Sequence, residues 1–230
     1  MPNILLADNH EVVRKGIQLV LESDPDCHVV GDAGNGTQTL EQAKKLKPDV
    51  VVLDLNAPDI GGFDLIQRLK SILPHVKIVI LSAYSHEVYV MEALRSGAEA
   101  YVLKQSSPAE LVVAIHKAAK GRHFLCDALA ERAFTSYAHN VGEAGDPIER
   151  LTGRERQVLL MMIGNALTCA QIGERLFISP RTVEAHRARI MKKLALKSHE
   201  ALVRFAIMRG MLPNKQDEKL SQAGEPVSIS

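Results

Sequence analysis

Pro48-Asp49-Val50-Val51-Val52-Leu53-Asp54-Leu55-Asn56 sets four unbroken apolar residues directly before a carboxylate. A short continuous run rich in valine reads as a strand buried on both faces. An aspartate just past its end falls at the carboxyl edge of a parallel sheet, where open α/β folds place their ligand sites. Taken alone, Asp54 fits a solvated loop aspartate as well as a functional one. The flanking sequence decides between them.

Through residue 122 the chain alternates short apolar runs with helical patterns. The runs Ile4–Ala7, His28–Val30, Val50–Leu53, Lys77–Leu81 and Ala100–Leu103 predict five strands. Between them, Val13, Ile17, Val20 and Leu21, or Leu65, Ile66, Leu69 and Ile72, recur at helical spacing. Gly97 fits a left-handed helix stop. Five strands alternating with five helices predict a parallel, flavodoxin-like α/β sheet covered on both faces.

In such a fold the carboxyl ends of the strands share one edge. Those ends carry Asp8, Asp54, Ser82 and Lys104, from four different strands. Two carboxylates, a hydroxyl and an ammonium in one cleft suit phosphoryl transfer to a carboxylate. Asp54 is the candidate nucleophile, forming an acyl phosphate. A hard divalent ion, Mg²⁺, would bind oxygens of Asp8, Asp54 and the Asn56 carbonyl. Lys104 would pair with one phosphoryl oxygen and the Ser82 hydroxyl with another. Ala83 leaves space beside the acceptor.

With these residues in view, 1–122 resembles the receiver domain of two-component response regulators over its whole length. The matching residues are Asp8, Asp54 with Pro58 and Gly62 downstream, Ser82-Ala83, Tyr101 and Lys104. The resemblance implies that Asp54 is the phospho-acceptor and that a sensor histidine kinase or a small phosphodonor supplies the phosphoryl group. It also implies that Ser82 and Tyr101 form a switch that reshapes the surface of the fourth helix, fifth strand and fifth helix. By spacing alone, Tyr101 is an ordinary strand aromatic.

Two departures stand out. Receivers generally have two adjacent acids after the first strand, whereas this chain has Asp8-Asn9. Asn9 can offer a carbonyl oxygen to the metal but not a charge, which at ~4 Å is worth up to ~4 kcal/mol at an effective dielectric of ~20. Weaker metal binding and slower phosphorylation are expected. Ala57 replaces the usual methionine before Pro58, a packing change.

The charge is unevenly divided. Residues 1–122 hold 13 Lys/Arg against 15 Asp/Glu, while 151–213 hold 11 against 4. A basic block on a chain of net charge +1 predicts a polyanion partner for that block alone. No apolar run approaches the roughly 18 residues that span a bilayer, and charges follow the first apolar run too soon for a secretory leader. Cys27, Cys126 and Cys169 are far apart and odd in number. They form no metal-type cluster in sequence, so reduced thiols in the cytoplasm are the simplest reading.

Residues 123–147 read as a linker. Phe124-Leu125-Cys126 continue from the fifth helix, Ala128–Tyr137 forms one more helix, and His139–Pro147 is turn-rich. Residues 214–230 read as a disordered polar tail.

The basic block, 148–213, predicts four helices. Thr152-Gly153-Arg154-Glu155 is a capping box that opens the first, with Val158, Leu159, Met162 and Ile163 on one face. A second runs from about Thr168 to Leu176. Ser179-Pro180 starts the third as N-cap and first helical residue. The fourth spans about His199 to Arg209, with Gly210 and Pro213 ending it. On the third helix, Val183, Ile190 and Leu194 should face the core. Arg181, Ala185, Ala188 and Lys192 fall opposite, flanked by Thr182, Glu184 and Arg189, with Arg187 at the apolar edge. Small residues among basic ones suit close approach to a DNA major groove. Glu184 either accepts from a cytosine amine or is a plain exposed glutamate. His186 has no partner at ligand spacing and reads as packed or phosphate-facing.

This block resembles the LuxR-type helix-turn-helix domain. The match runs through Leu151-Thr152, Arg154-Glu155-Arg156, Ile172, Leu176, Ile178-Ser179, Thr182-Val183, His186, Ile190-Met191, Lys193-Leu194 and Leu202-Val203. Ala166, where glycine is usual, and Cys169-Ala170-Gln171 depart from the pattern. Joined to a receiver, it resembles the NarL/FixJ class of response regulators.

The resemblance implies a two-component transcription regulator that binds double-stranded DNA as a homodimer, with the fourth basic-block helix as its dimer surface, and that is not a metabolic enzyme. It also implies that the unphosphorylated receiver masks the third helix, and that phosphorylation favours its release and dimerisation. One alternative is a DNA-binding regulator whose receiver, with Asn9, ignores phosphate. A dehalogenase-type phosphatase needs an acid two residues past the nucleophile, where this chain has Asn56.

Overall fold

The four residues of β3 (Val50–Leu53) are buried, as a strand covered on both faces of its sheet requires. In the computed structural model, which describes residues 1–131, 147–164 and 167–212, β3 lies between β1 (Asn3–Ala7) and β4 (Lys77–Ser82). β2 (His28–Ala33) flanks β1, and β5 (Ala100–Leu103) flanks β4. Every pairing is parallel, in the order β2-β1-β3-β4-β5-β6.

The sixth strand, β6 (Phe124–Leu125), corrects the five-strand expectation. Two residues carry no periodicity. They become a strand only because the amide N–H groups of Phe124 and Cys126 donate to the Glu99 and Tyr101 carbonyls at 3.1 Å. β2 also runs on through Gly31 and Asp32, past the end of its apolar pattern, because β1 continues to pair with it.

The crossover helices are α1 (Glu11–Glu22), α2 (Gly36–Leu46), α3 (Gly62–Ile72), α4 (Glu87–Ser96) and α5 (Pro108–Ala119). α2, α3 and α4 neighbour one another on one face of the sheet, while α1 and α5 cover the other. α4 ends at Gly97 with φ 112°, the left-handed stop expected from sequence. α5 opens with a Ser107–Glu110 capping box and Pro108 in its first turn.

A 3₁₀ turn at Pro147–Arg150 leads into α6 (Gly153–Gly164), α7 (Cys169–Leu176), α8 (Pro180–Lys193) and α9 (His199–Met208). Both reciprocal bonds of the Thr152–Glu155 capping box are present, at 2.8 and 3.3 Å. Gln171 completes a second box with Thr168, so part of the Cys169-Ala170-Gln171 departure serves as a cap. α9 ends one residue earlier than expected, and Gly210 follows with φ 64°. Residues 127–131 are helical. The remainder of the helix expected to Tyr137, the turn-rich linker up to residue 146, Ala166, Pro213 and the tail lie outside the described residues. Among the described residues no helix is long and apolar enough to cross a membrane.

α6 carries more than the single apolar face expected. Val158 to Ile163 are all buried. A helix that is apolar all round needs partners on all sides. One side of α6 faces α8, and Leu160 and Met161 face the α/β unit beside Tyr84 and Tyr89.

All three cysteines are free, as the sequence spacing implies. Cys27 lies beside Asp24 and His116, a grouping of metal-ligand type that sequence spacing hid. The partner histidine is 89 residues away.

Gly62 and Gly16 offer opposite tests of this packing. A Cβ at Gly62 would lie 2.5 Å from the Leu55 carbonyl oxygen and 2.8 Å from its Cα, backbone that cannot rotate away. At Gly16, mid-helix and exposed, a Cβ meets nothing within 4 Å. Gly62→Ala should lower the urea unfolding free energy by ~1–3 kcal/mol. Gly16→Ala should raise it by up to ~1 kcal/mol.

Candidate functional site

Main-chain hydrogen bonds fix the carboxyl edge of the sheet before any side chain is considered. The Asp54 N–H donates to the Ala7 carbonyl at 2.8 Å, the Asp8 N–H to Ala33 at 3.2 Å and the Lys104 N–H to Ser82 at 2.9 Å. The parallel register sets Ala7 opposite Leu53 and Ser82 opposite Leu103. Asp8 and Asp54 therefore leave adjacent strands side by side.

Lys104 reaches both. Its Nζ lies 2.6 Å from Asp8 Oδ2 and 2.9 Å from Asp54 Oδ2. Asp54 and Asp8 are buried, and Ser82 is fully so. Burial pushes the Asp54 carboxyl above its ordinary range; Lys104 opposes the shift and Asp8 adds to it. Burial works to lower the Lys104 ammonium, but the Asp54 and Asp8 charges outweigh it and hold the pKa above its ordinary value.

One cavity beside the pair is lined by Asp8, Asn9, Asp54 and Ala57, with Gly34, Asn35 and Thr39 across from them. Asn9 is exposed at its mouth. The Asn56 N–H donates to Asp54 Oδ1 at 3.3 Å, and the Asn56 side-chain oxygen accepts from the Tyr84 hydroxyl at 3.2 Å. Ala83 is half-buried next to Ser82. The structure thus brings Asp8, Asn9, Asp54, Asn56, Ser82 and Lys104 to one edge.

Two carboxylates against one ammonium leave this edge negative, and the donors are mainly oxygens. That set fits a hard divalent cation. His10 is a contributor the sequence did not reveal. Its N–H donates to Asp8 Oδ1 at 2.8 Å, with Nδ1 3.2 Å from the same oxygen. Asp8, His10 and Asp54 place donor atoms within 4.8 Å of one another. The available signal was position, two residues beyond Asp8.

Tyr101 is fully buried, and its hydroxyl donates to the Tyr84 carbonyl at 2.7 Å. Burial pushes its phenol pKa far up. Tyr84, also missed, ties the cluster together. Its N–H donates to Ser82 Oγ at 3.2 Å, and its ring stacks on Tyr89 at 4.2 Å, 4° from parallel.

In the helical unit, Ser179 caps α8 by accepting from the Thr182 N–H at 3.1 Å. Val183, Ile190 and Leu194 are buried, as the spacing predicts. Arg181, Thr182, Glu184, Ala185, Ala188, Arg189 and Lys192 are exposed together, with Arg187 half-buried at the edge. Glu155, inside the unit, accepts from Lys193 at 2.6 Å. Burial works to raise the Glu155 pKa, but the bonds from Lys193 and Thr152 hold it below its ordinary value. His186 is partly buried, and burial lowers its pKa, with Arg189 adding to the effect.

The two units meet through α6 and α7. Arg154 pairs with Asp64 at 3.0 Å and donates to the Leu176 carbonyl. Arg156 pairs with buried Glu92 at 3.0 Å. The Gly61 N–H donates to the Arg175 carbonyl at 3.3 Å, and the Arg68 guanidinium lies 4.1 Å over the Phe177 ring. This corrects the masking expectation: the α/β unit covers α6 and α7 and leaves the outward face of α8 exposed. The reason is the surface each helix offers. α6 presents Leu160, Met161 and two arginines, whereas α8 presents small and basic residues.

Two family models match the chain. "Response regulator receiver domain" covers residues 4–116, and "Bacterial regulatory proteins, luxR family" covers 149–206. The nitrate/nitrite response regulator protein NarL of Escherichia coli K12 is 37% identical over 195 residues, covering 85% of this chain and 90% of NarL. The DNA-binding transcriptional activator DevR/DosR of Mycobacterium tuberculosis is 34% identical, covering 90% and 94%. Among solved structures, RcsB of Salmonella enterica serovar Typhimurium, bound to a promoter with a phosphomimetic, matches with a TM-score of 0.72 and 25% identity. It covers 89% of this chain and 97% of that one. A parallel α/β receiver followed by a LuxR-type helix-turn-helix unit, with relatives matched over nearly their whole length, makes this chain a member of the NarL/FixJ class of response regulators.

Proposed function

We propose that this transcription regulator is controlled by phosphorylation of Asp54. The observation that carries the reading is the buried Asp54 carboxylate, fixed beside Asp8 and bridged to it by Lys104. A carboxylate oxygen of Asp54 attacks phosphorus of a histidine kinase phosphoimidazole or of a small acyl phosphate. The P–N or P–O bond to the donor breaks, and the donor leaves with that electron pair. Lys104 then pairs with a phosphoryl oxygen, exchanging one anionic partner for another. The Ser82 hydroxyl and the space beside Ala83 accommodate a second oxygen. Hydrolysis of the acyl phosphate by water resets the receiver.

Mg²⁺ would be held by Asp8, Asp54 and the Asn56 carbonyl, with Asn9 and His10 at the rim. When bound, it neutralises phosphoryl oxygens and orients the donor. Asn9 supplies no charge, and Lys104 already pairs with both acids. These two facts favour a second reading, in which the receiver keeps one state and the protein binds DNA without phosphate control.

Arg181, Thr182, Glu184, Ala185, Arg187, Ala188, Arg189 and Lys192 form the DNA-facing surface of α8. The protein acts in the cytoplasm as a homodimer on two half-sites. Because the receiver rests on α6 and α7, phosphorylation acts by loosening that contact and freeing the helical unit to pair on DNA.

Acetyl phosphate with Mg²⁺ should add one phosphoryl group to the intact protein and none to Asp54→Ala, as read by mass spectrometry. Asn9→Asp should label faster. If neither wild type nor Asn9→Asp is labelled, the second reading stands. Arg181→Ala and Lys192→Ala should each weaken binding to all duplexes and reduce the slope of log affinity against log salt by ~1 in equilibrium titrations. Glu92→Gln removes the charge partner of Arg156 and should raise the DNA affinity of the unphosphorylated protein ~5-fold or more. An unchanged affinity would show that this contact does not restrain the helical unit.

A further inference from the structure

Asp24, Cys27 and His116 meet at the amino edge of the sheet, opposite the edge that carries Asp54. Asp24 follows α1, Cys27 precedes β2, and His116 lies in the last turn of α5. His116 Nε2 is 2.9 Å from Asp24 Oδ2 and 4.0 Å from Cys27 Sγ. All three donor atoms lie within 4.8 Å of one another.

The carboxylate and the sulfur approach the same ring nitrogen. A nucleophile–base–acid relay needs the carboxylate on the other nitrogen, so this is not a hydrolytic triad. The donors instead converge on one point. Around a tetrahedral ion with bonds of roughly 2.3 Å to sulfur and 2.0–2.2 Å to nitrogen and oxygen, donor atoms sit roughly 3.3–3.6 Å apart. The observed 2.9 and 4.0 Å bracket that spacing. The third pair, Asp24 and Cys27, lies within 4.8 Å, so an ion would draw the three donors together.

The local field favours a cation. α1 and α5 both end here, and helix C-termini carry partial negative charge. α1 has no basic residue in its last turn, while α5 carries Lys117 beside His116. Burial, then the Asp24 and Asp26 charges, push the Cys27 thiol up to about 11. Asp24 and His116 keep 23% and 30% of their side-chain surface, so an ion can enter from solvent.

We propose that Asp24, Cys27 and His116 bind a divalent transition cation of the zinc class, with a fourth position open to water. The thiolate and imidazole select against Mg²⁺, which separates this site from the oxygen-rich Asp8/Asp54 edge. Binding releases the Cys27 proton and leaves Nε2 unprotonated. The ion ties the α1–β2 turn to the end of α5, the helix that leads out of the receiver. This reading does not depend on phosphorylation of Asp54.

The test uses full-length protein in a thiol-free reductant, with Co²⁺ as an optical probe and Zn²⁺ as competitor. One equivalent of Co²⁺ should give a near-ultraviolet sulfur-to-cobalt absorption that one equivalent of Zn²⁺ abolishes. The absorption should vanish in Cys27→Ser and persist in Cys169→Ser and Asp8→Asn. His116→Gln, at a half-exposed position, should weaken Zn²⁺ binding by more than the ~10–100-fold typical of losing an outer-shell partner. No sulfur-to-cobalt absorption in the wild type, its survival in Cys27→Ser, or unchanged Zn²⁺ affinity in His116→Gln would overturn the proposal.

Discussion

Lys104 lies 2.6 Å from Asp8 and 2.9 Å from Asp54, and the carboxyl edge of the sheet depends on that bridge. The pairing of β1 with β3 forces two carboxylates into one small, largely dry space. Burial and mutual repulsion both act against their charges. Lys104 offsets the conflict without cancelling it, since one ammonium faces two acids. The edge therefore holds together while keeping an affinity for further positive charge. That residual negative charge suits a hard divalent cation. In this chain Asn9 reduces it, and His10 adds a nitrogen donor at the rim.

The same loops that carry the site also carry the contact with the helical unit. The segment after β3 begins with Asp54, passes through Asn56 and reaches Gly61, whose N–H bonds Arg175 of α7. The segment after β4 begins beside Ser82 and holds Tyr84 and Tyr89, which stack on each other and line one cavity with Leu160 and Met161 of α6. Tyr84 joins both segments, bonding Asn56 through its hydroxyl and accepting from Tyr101 through its carbonyl. A change in charge at Asp54 thus lies within a few residues of the surface on which α6 and α7 rest. Glu92 and Asp64, which anchor Arg156 and Arg154, add two ion pairs to that apolar centre, the Glu92 pair buried within it.

Most of the fold was legible locally. Val50–Leu53 announced a buried strand, Leu65, Ile66 and Leu69 a buried helix face, and Thr152–Glu155 and Ser179-Pro180 two helix starts. Each signal lies within a few residues, because burial period and capping are set over one or two turns. The site residues at strand ends were legible for the same reason: parallel topology sends every strand end to one edge. β6 was not legible, since two residues have no period and its hydrogen-bond partners come from β5.

The sequence by itself determined the two kinds of unit, the strand ends that carry Asp8, Asp54, Ser82 and Lys104, and the exposed basic face of α8. Only the tertiary structure decided which helices the receiver covers, that Tyr84 links Asn56, Ser82 and Tyr101, and that His116 meets Cys27 across 89 residues. The division has one physical cause. Local patterns record whether a residue is buried and in what element. Which distant side chain it then meets depends on strand register and helix packing, and these are settled only when the whole core closes.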